Sequence, residues 1–158
     1  PGYWRDVGTI QAYWEANMDL LGDTPSCDLR NQEWPIRTEP SYGPPASLVN
    51  CYVDHALIGE GSRAIEADIR RSVIGRHVRI ETGAYIEDSI IFDHTHIGAG
   101  AKLQRVIVDR HNTIPAHVDL GPRGEEFNAP SDWADSGVLV IPKPPTVKEE
   151  QKRRLPSY

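Results

Sequence analysis

Residues 69–85 read IRRSVIGRHVRIETGAY, residues 86–102 read IEDSIIFDHTHIGAGAK, and residues 103–119 read LQRVIVDRHNTIPAHVD. These three segments of 17 residues carry aliphatic side chains at the same three positions, with gaps of five, six and six residues. The three series are Ile69, Ile86, Leu103 and Leu120; Ile74, Ile91 and Val108; and Ile80, Ile97 and Ile114. Glycine often follows these positions directly, and small or β-branched residues follow four residues later. This pattern is typical of a degenerate hexapeptide repeat.

The spacing of the repeat predicts a coil of three short strands. Because strands of successive coils lie about 4.8 Å apart, each aliphatic residue would point inward and stack on its equivalent one coil earlier. Stacked coils bury a continuous core that a single coil cannot bury. We therefore predict a mainly β protein with a left-handed parallel β-helix of about four coils over residues 48–121. An antiparallel arrangement of short strands is the alternative, and three series in one fixed phase disfavour it.

The chain on either side of the repeat divides into further regions. Residues 1–22 read as the end of a strand, a turn and a helix, which Thr9 would cap and Gly22 would end. Residues 23–47 show no period and are rich in turn formers, which indicates a linker. Residues 122–158 read as a polar loop, a final strand and a charged tail. The apolar face of the predicted helix consists of Ile10, Tyr13, Trp14, Met18 and Leu21.

The composition disfavours several classes of partner. The chain of 158 residues has a net charge of −6, whereas nucleic acids and anionic membranes require a basic surface. No apolar run is long enough to span a bilayer, and no signal peptide precedes the first motif. Cys27 and Cys51 lack metal-binding spacing and read as free thiols. We therefore expect a cytoplasmic protein without a nucleic-acid or membrane partner.

The first residues contain a possible cation site. In residues 2–9, which read GYWRDVGT, Asp6 would lie at the end of a strand, beside Gly8 and the start of the helix. A carboxylate in this position can hold a hard cation. The alternative is that Asp6 only caps a turn or pairs with Arg5, and the residues by themselves leave both interpretations open.

The segments around the repeat also carry a resemblance to a known family. Residues 4–9 read WRDVGT, residues 12–20 read AYWEANMDL and residues 34–38 read WPIRT; PPA at 44–46, VIVDR at 106–110 and IP at 114–115 continue the pattern. In these segments the chain resembles the bacterial ADP-glucose pyrophosphorylases, or glucose-1-phosphate adenylyltransferases, to about Gly121. The resemblance implies that residues 1–22 are a strand and helix remaining from a Rossmann-like nucleotidyltransferase domain that precedes the β-helix.

The same resemblance implies a reaction and roles for two residues. The family makes ADP-glucose and pyrophosphate from ATP and glucose 1-phosphate for glycogen synthesis. By this resemblance Asp6 is a catalytic residue that helps to bind Mg²⁺, and Trp4 lies near the sugar phosphate. The nucleotide-binding loop, the phosphate-binding lysines and the second Asp of the family have no counterpart here, and the chain begins at Pro1 within the predicted junction. We therefore expect a piece of a longer, homotetrameric enzyme that is inactive by itself.

An effector site is implied near the end of the chain. The family ends its β-helix with a strand after which a basic residue contacts a sugar-phosphate or phosphoglycerate effector, and residues 137–143 have that spacing. Lys143 would be the basic residue, because a phosphate needs a cation; an ordinary exposed lysine is the alternative. Many members carry an Arg-Arg pair before this strand, whereas residues 125–128 read EEFN here, so Arg123 is a substitute candidate.

The repeat also permits three other interpretations. His77, His94 and His111 are 17 residues apart and would stack on one edge of the β-helix. A metal site like that of the hexapeptide carbonic anhydrases is one interpretation, and a water-exposed column at a corner is the one we favour. A hexapeptide acyltransferase is the alternative enzyme, but it would need a catalytic His in an extended loop, which the short repeats do not show. A scaffold without activity is the third possibility.

Overall fold

The computed structural model describes residues 2–33, 35–36, 43–121 and 136–145. Within these residues it contains one helix and fifteen strands. The elements are α1 (Ile10–Met18), β1 (Ser47–Val49), β2 (Tyr52–Asp54), β3 (Leu57–Ile58), β4 (Arg63–Ile65), β5 (Asp68–Arg70), β6 (Val73–Ile74), β7 (Arg79–Ile80), β8 (Tyr85–Glu87), β9 (Ile90–Ile91), β10 (His96–Ile97), β11 (Lys102–Gln104), β12 (Val106–Val108), β13 (Thr113–Ile114), β14 (Asp119–Leu120) and β15 (Leu139–Ile141).

The strands form three parallel sheets of five strands each. Sheet A has the order β1-β4-β7-β10-β13, sheet B the order β2-β5-β8-β11-β14, and sheet C the order β3-β6-β9-β12-β15. Each strand pairs with the third strand after it in the sequence, so the chain visits every sheet once per coil. The mainly β architecture and the parallel β-solenoid are therefore confirmed, whereas the left hand of the coil stays a prediction.

The register confirms the three aliphatic series. Ile86 pairs with Ile69 and Leu103, and Ile91 pairs with Ile74 and Val108. All these side chains point into one core, where Ile69, Ile86, Ile97 and Leu103 are fully buried. The core is continuous along the solenoid, because each coil covers the apolar side chains of the coil before it.

The number of coils is larger than predicted. Fourteen strands lie between Ser47 and Leu120, which is almost five coils rather than about four. The first strands pair with an offset of 16 residues, as Leu48 does with Ala64, and 17 appears only in later coils. The shorter offset hides this first coil from a search for one fixed period. Leu48 and Val53 occupy the inward positions of this coil but are 44% and 38% exposed, because no described coil lies on top of them.

The last strand returns to the solenoid after residues 122–135. The sequence predicts a strand over residues 138–141, and β15 is found at Leu139–Ile141. It pairs with β12, with Ile107 opposite Val140, and thereby completes sheet C. The charged tail and Arg123 lie outside the described residues.

Helix α1 packs on the outer face of sheet C. Thr9 caps the helix as predicted, since its Oγ1 accepts a hydrogen bond of 3.1 Å from the Ala12 N–H. Ile90 and Ile107 point outward from sheet C, and with Trp14 and Val138 they form a second apolar cluster. This cluster explains why β9 and β12 are apolar at every position, since a parallel strand covered on both faces needs no polar side.

The structure of the N-terminal region differs from the prediction in two details. The helix ends at Met18 rather than next to Gly22, although turn hydrogen bonds continue to Leu21, and Gly22 has a φ of 93°. Residues 2–8 form no strand, so the predicted strand of a Rossmann-like remnant is not confirmed. A strand needs a neighbouring strand for its backbone hydrogen bonds, and the described residues offer none beside this segment. No described helix has the length and apolar character needed to cross a membrane.

Candidate functional site

The segment of residues 2–8 is held along helix α1 by polar contacts. Arg5 forms ion pairs with Glu15 at 3.3 Å and with Asp19 at 2.9 Å. The Tyr3 hydroxyl donates a hydrogen bond of 3.0 Å to Asp19, and partial burial together with this bond raises the pKa of Tyr3. These contacts fold the segment back so that Trp4 and Asp6 lie beside the helix rather than extending away from it.

Asp6 is exposed and makes a local turn. Its Oδ1 accepts a hydrogen bond of 3.1 Å from the Gly8 N–H, which is an Asx turn just before the helix. The structure therefore contains the turn that the sequence offered as one interpretation of Asp6. The other part of that interpretation, a pair between Asp6 and Arg5, is not found, because Arg5 pairs with Glu15 and Asp19 of the helix segment. A carboxylate of this kind can supply one ligand to a hard cation, since Mg²⁺ takes one or two carboxylates together with waters and substrate phosphates.

Trp4 is displayed to solvent next to Asp6. Its side chain is 83% exposed, which is unusual for a residue of this size and apolar character. An indole ring and a carboxylate two residues apart offer a stacking surface and an oxygen ligand on one short segment. The described residues contain no group of three His, Cys, Asp or Glu side chains that could bind a metal by itself. Any cation at Asp6 would need further ligands from elsewhere.

Lys143 lies in a different segment. It is exposed and follows β15 by two residues. The Asn112 side chain donates hydrogen bonds to the carbonyl oxygens of Asp109 and Pro142, at 2.8 and 3.1 Å, and so ties the chain before Lys143 to the preceding coil. The structure thus places Trp4 and Asp6 together and Lys143 apart from them, at the end of the solenoid.

Arg105 connects the β15 region to helix α1, and sequence reasoning missed it. Its Nε donates a hydrogen bond of 2.9 Å to the Gly137 carbonyl, and its guanidinium carbon lies 4.2 Å from the centre of the Trp14 ring. The Trp14 indole N–H in turn donates to the Asp88 carbonyl at 2.7 Å. Asp88 and Arg105 are 17 residues apart and hold equivalent corners, but no spacing in the sequence connects them to Trp14 or Gly137. For Arg5 a signal did exist, since Glu15 and Asp19 are four residues apart and share one helix face.

The histidine column has the geometry of a corner ladder. The rings of His77, His94 and His111 stack with centroid distances of 5.0 and 5.1 Å and interplanar angles of 6° and 3°. The nitrogen lone pairs of stacked rings lie in parallel planes, whereas a chelating site needs them to converge on one ion. This arrangement therefore favours the ladder interpretation over the metal site.

A cleft of about 360 Å³ lies between the linker and the first coil. Its lining includes Leu21, Arg30, Val53 and the pair Asp54 and His55, whose side chains approach to 2.6 Å. None of Trp4, Asp6 and Lys143 lines this cleft. Its residues therefore add nothing to the sites expected from the sequence.

Comparison with known proteins identifies both the repeat and the segments around it. Residues 44–141 match the family described as GlmU-like, C-terminal hexapeptide. A glucose-1-phosphate adenylyltransferase of Thermus thermophilus is 43% identical over 152 residues, which cover 89% of this chain and 36% of the relative. Proteins of the same name from Deinococcus deserti and Mannheimia succiniciproducens are 37% and 39% identical, over 89% and 88% of the chain. The chain spans about a third of the length of these relatives and matches their C-terminal part.

Proposed function

We propose that this chain, which belongs to the family of GlmU-like C-terminal hexapeptide domains, is the regulatory and oligomerisation part of a glucose-1-phosphate adenylyltransferase. The full-length enzyme would make ADP-glucose and pyrophosphate from ATP and glucose 1-phosphate in the cytoplasm, for glycogen synthesis, and would assemble as a homotetramer. The observation that carries the proposal is the extent of the similarity. The relatives match 88–90% of the chain, so the likeness reaches beyond residues 44–141 of the hexapeptide family.

Asp6 is the proposed catalytic residue and a ligand of Mg²⁺. Bound Mg²⁺ would neutralise phosphate charge as pyrophosphate leaves. The chain's own contribution is positional: the Asx turn with Gly8 orients the carboxylate, and Arg5 ties the segment to helix α1. Trp4 would contact the sugar phosphate side of the substrate with its exposed ring. The remaining ligands and the nucleotide site would come from a preceding domain.

Lys143 is the proposed contact for a sugar-phosphate or phosphoglycerate effector, with Arg123 as a second cation. The exposure of Lys143 and its position directly after β15 support this role, because a phosphate can reach the ammonium without displacing a packed side chain. Arg123 lies outside the described residues, and its proposed role depends on the sequence resemblance alone.

An acyltransferase is the second candidate that a hexapeptide repeat permits. From β1 to β14 the coils follow one another at 16 or 17 residues, so none of these coils contains the extended catalytic loop that such an enzyme needs. The relatives named above are all adenylyltransferases. Both observations favour the first proposal.

The test of the proposal is the activity of the full-length protein. Asp6→Asn is expected to lower kcat for pyrophosphate release by at least about a hundredfold, because it removes a charged metal ligand. Asp28→Asn is the matched control, since Asp28 is also exposed and accepts a hydrogen bond from the N–H two residues later, at 2.9 Å. The 158-residue chain alone is expected to release no pyrophosphate. Near-normal kcat in Asp6→Asn at ordinary Mg²⁺ concentrations would refute the metal role.

A further inference from the structure

We propose that Arg105 is a positioning residue that couples the segment carrying Lys143 to the helix that follows Asp6. The contacts of Arg105 are seen in the structure and do not depend on the proposed function. The functional meaning of the coupling rests on the proposed function, because that proposal gives Lys143 and Asp6 their roles.

Arg105 fixes the start of the β15 segment through two of its groups. Its backbone carbonyl accepts a hydrogen bond of 2.9 Å from the Leu139 N–H, and its Nε donates one of 2.9 Å to the Gly137 carbonyl. Two hydrogen bonds from one residue therefore hold the chain where it enters β15. Because Lys143 follows two residues after β15, a displacement of that strand by a bound effector would also displace the Gly137 carbonyl from Arg105.

The same guanidinium lies over helix α1. Its carbon is 4.2 Å from the centre of the Trp14 ring, which is the geometry of a cation–π contact. Trp14 is 7% exposed and its indole N–H is bonded to the Asp88 carbonyl, so the ring cannot turn away while the helix stays docked. Among the described residues Arg105 forms no ion pair with a carboxylate, and its charge is directed at the ring and at the carbonyl of Gly137.

Further contacts continue from the helix to Asp6. Glu15 is the next residue after Trp14, and with Asp19 it holds Arg5 of the segment that bears Asp6. Arg105 is therefore the point at which contacts from β15 and contacts from α1 meet. A movement of Gly137 must either break the hydrogen bond to Nε or shift the guanidinium across the Trp14 ring.

Amide hydrogen exchange on the 158-residue chain tests the coupling without any assumption about activity. Arg105→Asn removes the guanidinium, and asparagine tolerates the φ of 54° found here. We expect exchange at residues 10–18 and 139–141 to rise together, by about tenfold, with the β5 and β8 strands unchanged as proof of folding. Arg71→Asn is the matched control, because Arg71 lies at the equivalent corner with a φ of 42° but pairs only with Asp88 in the described contacts. Arg105→Lys keeps the charge without the planar fork and is expected to show a smaller rise in both segments.

Activity in the full-length protein supplies the second measurement, with fructose 1,6-bisphosphate and 3-phosphoglycerate as probes. Arg105→Asn is expected to raise the half-saturating concentration of the activating probe by about tenfold and to leave kcat without activator within about twofold. Weaker activation with unchanged exchange at residues 10–18 would mean that Arg105 contacts the effector directly, and would overturn the positioning role. If the wild-type enzyme shows no adenylyl transfer, the proposed function fails, and the exchange measurement still decides the coupling.

Discussion

At the scale of the residue, two kinds of position shape this molecule. Inward positions take aliphatic side chains, and corner positions take residues that accept the left-handed backbone region. In the described part of the chain, ten non-glycine residues have a φ between 42° and 63°, and all of them are Asn, His, Glu, Arg or Asp. The left-handed region costs a non-glycine residue roughly 1–2 kcal/mol, and β-branched residues, which fit this region worst, are missing from this set. The stacked rings of the His77, His94 and His111 column occupy three of these corners.

Truncation of an inward side chain should be costly. Ile86 is fully buried between Ile69 and Leu103, so Ile86→Ala is expected to lower the free energy of unfolding by about 2–5 kcal/mol. Leu48→Ala is the matched control, because Leu48 holds an inward position but is 44% exposed; its cost should be about 1 kcal/mol or less. Urea denaturation monitored by circular dichroism gives both values. A loss below about 0.5 kcal/mol for Ile86→Ala would contradict its burial.

A surface carboxylate should make stability depend on pH. Burial alone would raise the pKa of Glu81, but the hydrogen bond from His96 and the charge and hydrogen bond of Arg79 outweigh it and hold that pKa below its ordinary 4.5. A depressed pKa stabilises the fold above the unfolded value, and the contribution is lost as the pH falls through the folded value. Glu81→Gln is therefore expected to destabilise the chain at pH 7 and to match the wild type well below pH 4.5. A difference in unfolding free energy that stays constant down to about pH 3 would contradict this assignment.

At the scale of the element, helix α1 depends on sheet C. Its nine residues carry no acidic residue in the first turn and no basic residue in the last, so the helix dipole gains no support from side-chain charges. A helix this short is marginal by itself in water. Its stability comes from the apolar cluster with Ile90, Ile107 and Val138 and from the bond between Trp14 and the Asp88 carbonyl. The helix should consequently not persist when sheet C unfolds.

Substitution of Trp14 separates packing from hydrogen bonding. Trp14→Ala is expected to lower the free energy of unfolding by about 3–5 kcal/mol, because it empties the centre of the cluster. Trp14→Phe keeps most of the apolar contact and loses the N–H, so a cost of about 1–3 kcal/mol is expected from the unpaired Asp88 carbonyl. Chemical denaturation measures both. Equal costs for the two variants would show that the hydrogen bond, rather than the packing, holds the helix.

At the scale of the whole molecule, the solenoid has two unlike ends. The first coil leaves the apolar side chains of Leu48, Val49, Tyr52 and Val53 partly exposed, whereas the last coil is completed by β15 and carries Lys143. Helix α1 runs along sheet C between these ends, from contacts with Val138 and Val140 to the neighbourhood of His55. Regulation by an effector at Lys143 would therefore act along the solenoid and its attached helix.

Reversal of the charge at Lys143 should weaken activation in the full-length protein. A charge-assisted contact with phosphate contributes about 1.5–3 kcal/mol, so Lys143→Ala is expected to raise the half-saturating activator concentration by about tenfold or more. Lys143→Glu should be worse, because it adds repulsion. Michaelis constants without activator should barely change. Lys102→Glu offers a control, since Lys102 is an exposed lysine on sheet B. If Lys143→Glu responds like the wild type to every activating sugar phosphate and to 3-phosphoglycerate, Lys143 is an ordinary surface lysine.

The sequence by itself determined the solenoid and its core, because a period of 17 residues with three inward positions can be buried only by stacking parallel coils. It also located the helix cap at Thr9 and the final strand, since caps and short apolar runs are local signals. The residues themselves made Asp6 a possible cation ligand, whereas its catalytic role and the roles of Trp4, Lys143 and Arg123 depend on the resemblance to a family; all these roles stay proposals.

Only the tertiary structure decided which residues meet across the molecule. Trp14, Arg105 and Gly137 lie far apart in the sequence, and their contact depends on the docking of α1 and on the return of β15 to β12. The pairing of Arg5 with the helix, the extra coil at an offset of 16 residues and the absence of a strand at residues 2–8 were likewise decided there. Contacts of this kind depend on how the folded helix and strands pack against one another, and a local pattern of residue types does not predict that packing.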